Sequence, residues 1–262
     1  MRKENLSIWR KDTLYADIFK KRALGDLPEM ESSKAAAKKL GAVFTDGCSI
    51  LDVGCGVGHY LVSYRKALKE KKYTYTGVDV TPEYIDIGKE IFGGELNIHF
   101  LVGSIYELPF ADKSFDIVVC NNVLLHLPEV RTAIRELLRV AKKTLIIRAL
   151  VGDKSYRIKD IYTKQDMDFF ESDVDTFDED GEPKDFSFYN IYSKRYVNAI
   201  IKDALPGAKV TIEEDLDFDL GEMSRNKKDF NNRTNATTVV GGMQVNGNII
   251  LPWSFVTVCI DS

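Results

Sequence analysis

The residues best suited to chemistry lie between positions 52 and 126. Asp52-Val53-Gly54-Cys55-Gly56-Val57-Gly58 joins a short apolar run to a segment with helical spacing. Glycines let the backbone turn tightly and approach a ligand, and a helix start offers free N–H groups. The spacing is GxGxG; the dinucleotide fingerprint GxGxxG needs glycine at position 59, where His59 stands. A carboxylate directly before the loop, Asp52, is ill placed for a pyrophosphate and suits a cationic ammonium or sulfonium group. Asp79 follows about 20 residues after the loop, where an acidic side chain can accept from two vicinal hydroxyls of a ribose. Taken alone it also reads as a helix cap before Pro82. His126 follows an apolar run at the sheet edge where ligands bind in open α/β folds. It is a candidate general base, or a structural histidine in the Val123–Leu127 run. His59 reads as a packing or positioning residue.

The elements that must position these groups alternate regularly. Ile50–Val53, Tyr73–Val80, Ile98–Val102, Phe115–Cys120 and Thr144–Leu150 read as strands. Between them come helical patterns: Val57, Leu61, Tyr64 and Leu68; a segment opened by Thr81-Pro82; and one opened by Pro128 and closed by Lys142-Lys143. Near-continuous apolar strands alternating with helices imply a parallel sheet covered on both faces. Residues 1–47 read as amphipathic helix, with Ser32 or Ser33 as cap and Gly41 as terminator. Further on, Ser193 caps a helix through Ala204, Val210–Glu214 and Ile249–Ile260 read as strands, and Gly241-Gly242 and Asn246-Gly247 are hairpin turn signals. Seven acidic residues between Glu171 and Glu182 read as a solvated loop in preference to a cation site.

ILDVGCGVGHY, YTGVDVTPEYI, GSIYELPF and SFDIVVCNNVLLHL resemble, in order and spacing, the successive motifs of class I S-adenosylmethionine-dependent methyltransferases. The resemblance covers residues 48–150. It implies a three-layer α/β sandwich with a mostly parallel seven-stranded sheet and an antiparallel last strand pair. It implies S-adenosylmethionine as cofactor, with Gly54, Cys55, Gly56 and Gly58 beneath the methionine part, Asp79 on the ribose and Asp52 near the amino group. Val80 and Ile105 would flank the adenine and Asn121 would lie near the methionine end. Ser104 stands where many relatives carry an acidic acceptor for the adenine amino group, so that contact is weakened.

The expected organisation is a helical cap at 1–47, a cofactor-binding core at 48–150, an acceptor-covering insertion with late core elements at 151–248, and a terminal strand at 249–262. The expected activity is methyl transfer to a small molecule, with oxygen favoured over nitrogen or carbon. An [ND]PPY signature is missing, Asn121-Asn122-Val123-Leu124 standing in its place, and no Pro-Cys nucleophile of the cytosine-C5 type is present. The segments Phe188–Ser193 and Leu251-Pro252-Trp253 resemble methyltransferases of surface-sugar clusters. The alternatives are a nicotinamide-dependent oxidoreductase and a non-catalytic S-adenosylmethionine-binding module.

Composition narrows the partners. The 262 residues are 44% hydrophobic and 29% charged, the balance of a folded globular chain. A net charge of -4 gives no global field for nucleic acid. No apolar stretch of membrane-helix length and no secretory block is seen, so the cytoplasm is the expected location. Cys48, Cys55, Cys120 and Cys259 form no CxxC pair and read as buried free thiols, with no metal expected.

Overall fold

The computed structural model describes residues 13–161, 177–184 and 186–216, together with the strand segments 238–240, 243–246, 249–250 and 253–260. Its centre is the sheet implied by the motifs. Strands β1 (Cys48–Val53), β2 (Tyr73–Asp79), β3 (Ile98–Val102), β4 (Phe115–Asn121) and β5 (Ala141–Gly152) run parallel. They lie in the order β3-β2-β1-β4-β5, followed by β13 (Trp253–Cys259) and β9 (Lys209–Asp215). β13 is antiparallel to both of its neighbours. A two-residue strand β8 (Tyr192–Ser193) adds to the end of β5.

The hydrophobic effect explains the layering. Central strands are apolar on both sides: Ile50 and Leu51 in β1, and Ile117 to Cys120 in β4, are all buried. The edge strand β3 alternates, with Ile98 and Phe100 buried and His99 exposed. One face of the sheet packs against α5 (Arg131–Val140) and α6 (Lys194–Ala204) through Ile134, Leu137, Val197 and Ile201. The other face packs against α1 (Thr13–Leu24), α2 (Glu31–Val43), α3 (His59–Leu68) and α4 (Pro82–Phe92), through Ala23, Leu40, Leu61, Tyr64 and Ile85.

Several local expectations shift. α2 starts at Glu31, with Met30 as the residue before it and no side-chain cap. The Ser33 hydroxyl instead donates to the Met30 carbonyl at 2.8 Å and lies 2.9 Å from the Ser63 hydroxyl of α3. Gly41 is inside this helix. α5 begins at Arg131, because the Glu129 carboxylate takes the Thr132 N–H. Lys142 and Lys143 belong to β5, and Lys143 pairs with Asp116 at 2.9 Å. Ser193 caps α6 by accepting from the Tyr196 N–H at 3.1 Å.

The expected single strand 249–260 is two pieces. β10 (Thr238–Val240), β11 (Met243–Asn246) and β12 (Ile249–Ile250) form a separate antiparallel meander, and Gly241, Gly242 and Gly247 of the two turn signals lie outside the described residues. Cys259 is exposed, unlike the other three cysteines. Residues 171–176 of the acidic segment lie outside the described residues. Residues 177–182 form an exposed turn, in which Asp178 accepts from the Asp180 and Glu182 N–H groups. A short hairpin of β6 (Lys159–Ile161) and β7 (Phe186–Phe188) flanks this turn.

Candidate active site

The glycine loop links β1 to α3 and has the conformation its glycines permit. Gly54, Gly56 and Gly58 have φ of 77°, 56° and 81°, values L side chains rarely adopt. Space adds a second constraint at Gly58, where a Cβ would lie 2.6 Å from the Phe100 ring. The loop is tied to β2 by Gly54 and Cys55, whose N–H groups donate to the Val78 carbonyl at 2.7 and 3.1 Å.

Asp79 ends β2 beside this loop. One carboxylate oxygen accepts from the Gly56 N–H and the other from the Thr81 N–H, each at 2.9 Å. Lone pairs remain on both oxygens for hydroxyl donors. The cap reading and the ribose reading are therefore compatible at this residue. Burial raises its pKa against the pull of these backbone donors. Asp52 is buried at the end of β1, 2% exposed, and accepts from the Tyr75 hydroxyl at 3.0 Å. The Cys55 thiol is buried and pushed well up, by burial first and then by both carboxylates. It is therefore not a nucleophile at neutral pH.

Asn121 ends β4 with its amide donating to the Tyr64 hydroxyl at 2.9 Å, while its carbonyl oxygen is buried without a hydrogen-bond partner. Val80 is half-buried just past Asp79. Ser104 follows Gly103, whose N–H donates to the Asp79 carbonyl at 2.9 Å. The Ser104 hydroxyl accepts from the Tyr106 N–H at 3.2 Å. Ile105 is buried in the cluster that holds Val78 and Leu108. The loop, Asp52, Asp79, Val80, Ser104, Ile105 and Asn121 thus all lie along the carboxyl edge of β1 to β4.

His126 closes a 3-10 turn, Leu124–His126, just past β4. Its Nδ1 lies 3.0 Å from the Phe188 carbonyl. A carbonyl only accepts, so Nδ1 carries the proton and Nε2 bears the lone pair. Burial lowers its pKa to about 4 against the contribution of that hydrogen bond, so the ring is neutral at neutral pH. His59 stacks on Phe19 of α1 at 4.3 Å and burial lowers its pKa to about 3, in keeping with a packing role.

A buried polar chain escaped the sequence reading. Tyr60 donates to Ser32 at 2.9 Å and accepts from the Asn122 amide at 3.0 Å. The Asn122 carbonyl oxygen accepts from Arg148 at 2.6 Å, and Arg148 Nε donates to Asp215 at 2.7 Å. Arg148 and Asp215 are 1% and 2% exposed, and the guanidinium lies 4.4 Å from the Trp253 ring centroid. The available signal was a single charge inside the apolar run Thr144–Val151. No group of three or more potential metal ligands occurs among the described residues.

Comparisons with known proteins bear on the core and the fold. Residues 51–147 match the family model described as a methyltransferase domain. An uncharacterised methyltransferase of Schizosaccharomyces pombe is 41% identical over 101 residues, covering 36% of each chain. A demethylmenaquinone methyltransferase of Staphylococcus aureus is 34% identical over 96 residues, covering 37% of this chain and 39% of that one. The chain thus spans little more than a third of these relatives' own lengths. Among solved structures, a chain from the complex of the Haloferax volcanii Trm112 methyltransferase activator with a methyltransferase superposes with a TM-score of 0.55. The identity is 18%, over 94% of this chain and 96% of that one, which supports the fold. Over this core the chain is thus similar to S-adenosylmethionine-dependent methyltransferases, in sequence across residues 51–147 and in fold across most of its length.

Proposed function

We propose that this chain transfers the methyl group of S-adenosylmethionine to a small-molecule acceptor, at oxygen. The observation that carries the reading is the convergence of Asp52, Asp79, the Asn121 carbonyl oxygen and the glycine loop at one sheet edge. The fit is chemical as well as spatial. An unpaired buried carbonyl, one buried carboxylate and one half-buried carboxylate suit a ligand with an ammonium and vicinal hydroxyls. The bound cofactor supplies an already activated methyl group, so the protein's task is alignment and water exclusion.

In this reading Asp79 holds the ribose, Asp52 and Asn121 face the methionine end, and the turn at Gly54, Cys55, Gly56 and Gly58 brings backbone close beneath it. Val80, Ser104 and Ile105 border the adenine. Because the Ser104 hydroxyl already accepts from Tyr106, the adenine amino group meets a weaker acceptor than a carboxylate. His126, neutral and with Nδ1 on the Phe188 carbonyl, is the proposed base for the hydroxyl to be methylated. The described helices within residues 1–47 serve as a cap at the glycine loop, the described parts of 153–193 cover the acceptor, and β9 and β13 complete the sheet. The acceptor is a small molecule and not nucleic acid. No helix among the described residues is long and apolar enough to cross a membrane.

The test is calorimetry with S-adenosylhomocysteine. The unaltered chain should bind it, and Asp79→Ala, folded by circular dichroism, should bind about 10- to 150-fold more weakly, the loss expected for charge-assisted bonds to two hydroxyls. Equal affinity would remove Asp79 from the site, and no binding by the unaltered chain would remove the cofactor.

A further inference from the structure

Two carboxylates, Asp52 and Asp79, flank the glycine loop at the ends of β1 and β2, and neither forms an ion pair among the described residues. The groups that act on Asp52 directly are neutral or negative, the cations Arg148 and Arg22 standing beyond Tyr60. Tyr75 and Asp79 face it from β2, Cys55 from the loop, Tyr60 and Tyr64 from α3, and Cys120 from β4. The two carboxylates are not equally provided for. Asp79 has two backbone N–H donors, whereas Asp52 has one hydroxyl donor, from Tyr75. A carboxylate withdrawn from water with so little compensation is costly, and a second one nearby adds to the cost.

We propose that Asp52 couples cofactor binding to proton release: neutral in the free protein, it yields its proton to solvent as the cofactor's positive charge arrives beside it. Only the carboxyl O–H bond breaks. Its electron pair stays on the oxygen, the proton passes to buffer, and the ligand's cation supplies the missing partner. The inference rests on the cofactor assignment above. Burial pushes Asp52 up to about 7, with the Tyr75 hydroxyl pulling it down and Asp79 adding to the rise. The two histidines near the site, His59 and His126, are held at about 3 and about 4 and do not titrate in the same range.

The direction follows from linkage. Below pH 7 the free site must lose a proton to bind, so affinity rises with pH and levels off above it. The experiment is titration calorimetry of the full chain with S-adenosylhomocysteine at pH 6.0 and 7.5, in buffers of different ionisation enthalpy. The expected release is most of a proton at pH 6.0 and distinctly less at pH 7.5, with several-fold tighter binding at the higher pH. Asp52→Asn should release none and lose the pH dependence. Should that variant not fold, Tyr75→Phe keeps the carboxylate but removes its donor, so release at pH 7.5 should increase. Binding with no proton release at pH 6.0, or a pH dependence that survives Asp52→Asn, overturns the proposal while leaving the cofactor assignment standing. Absence of binding at either pH overturns the cofactor assignment itself.

Discussion

Residues 48–121 and the described residues 153–161 and 186–193 meet at the same edge of the sheet but are held there by different means. In the first region the chain positions itself locally: positive-φ glycines turn the loop, and β2 supplies the carbonyl and carboxylate that receive its N–H groups. In the second region side chains reach across long sequence distances. Asn190 donates through its amide to the Leu127 carbonyl at 2.9 Å and through its backbone to the Leu125 carbonyl at 2.8 Å. His126 meets Phe188, while Arg157 lies 4.8 Å from the Phe188 ring centroid and donates to the Pro128 carbonyl. The first arrangement leaves a readable spacing in sequence and the second leaves almost none. A loop built from backbone admits few substitutions, while a strap built from side chains can change its contacts one at a time.

The comparison can be broken at its polar seam. Arg148→Met leaves Asp215 buried without its cation and should cost about 3–5 kcal/mol in denaturant unfolding. Adding Asp215→Leu should restore much of that loss. A single-variant cost within experimental error of zero would mean the seam is not part of the folded core.

The backbone half is tested next. Gly58→Ala combines left-handed strain with a Cβ only 2.6 Å from the Phe100 ring and should cost about 2–4 kcal/mol by thermal or denaturant unfolding. Gly47→Ala is the control. Its φ of 83° imposes similar strain, but nothing lies within 4 Å of the added Cβ, so it should cost distinctly less. Equal losses would show that space around the loop is unimportant.

The smallest effect sharpens the strap half. His126→Ala removes the contact to Phe188 and should cost about 1 kcal/mol while leaving S-adenosylhomocysteine affinity unchanged. Faster limited proteolysis within 153–193 would accompany it. A loss of cofactor affinity would instead tie His126 to the first region and end the division.

Legibility in the sequence followed the same divide. The order β1 to β5 and the placing of Asp52 and Asp79 beside the loop were readable, because glycine spacing and apolar runs are local signals, whereas Asn121 came only from the resemblance to the methyltransferase motifs. The misplacements were also local in cause. Ser33 looked like a cap but turns its hydroxyl to Met30 and Ser63 inside the structure, and Lys143 looked like a helix end but pairs with Asp116 across strands. The chain from Ser32 to Asp215 was not readable, because its members become neighbours only after the sheet forms. Arg148 alone stood out, as a charge in an apolar strand, and nothing in the sequence named its partner.

The position of β13 bears on the order of assembly. It lies between β5 and β9 and pairs with both along seven residues, although a hundred positions separate it from the end of β5. β9 therefore has no seat in the sheet until residues 253–259 have arrived. Long-range closure of this kind slows folding, because chain entropy is lost before the pairing repays it. The parallel core can zip up early from neighbouring segments, leaving the far edge open until the late strand wedges in. Unfolding should begin at that wedge, since releasing one strand frees two seams at once.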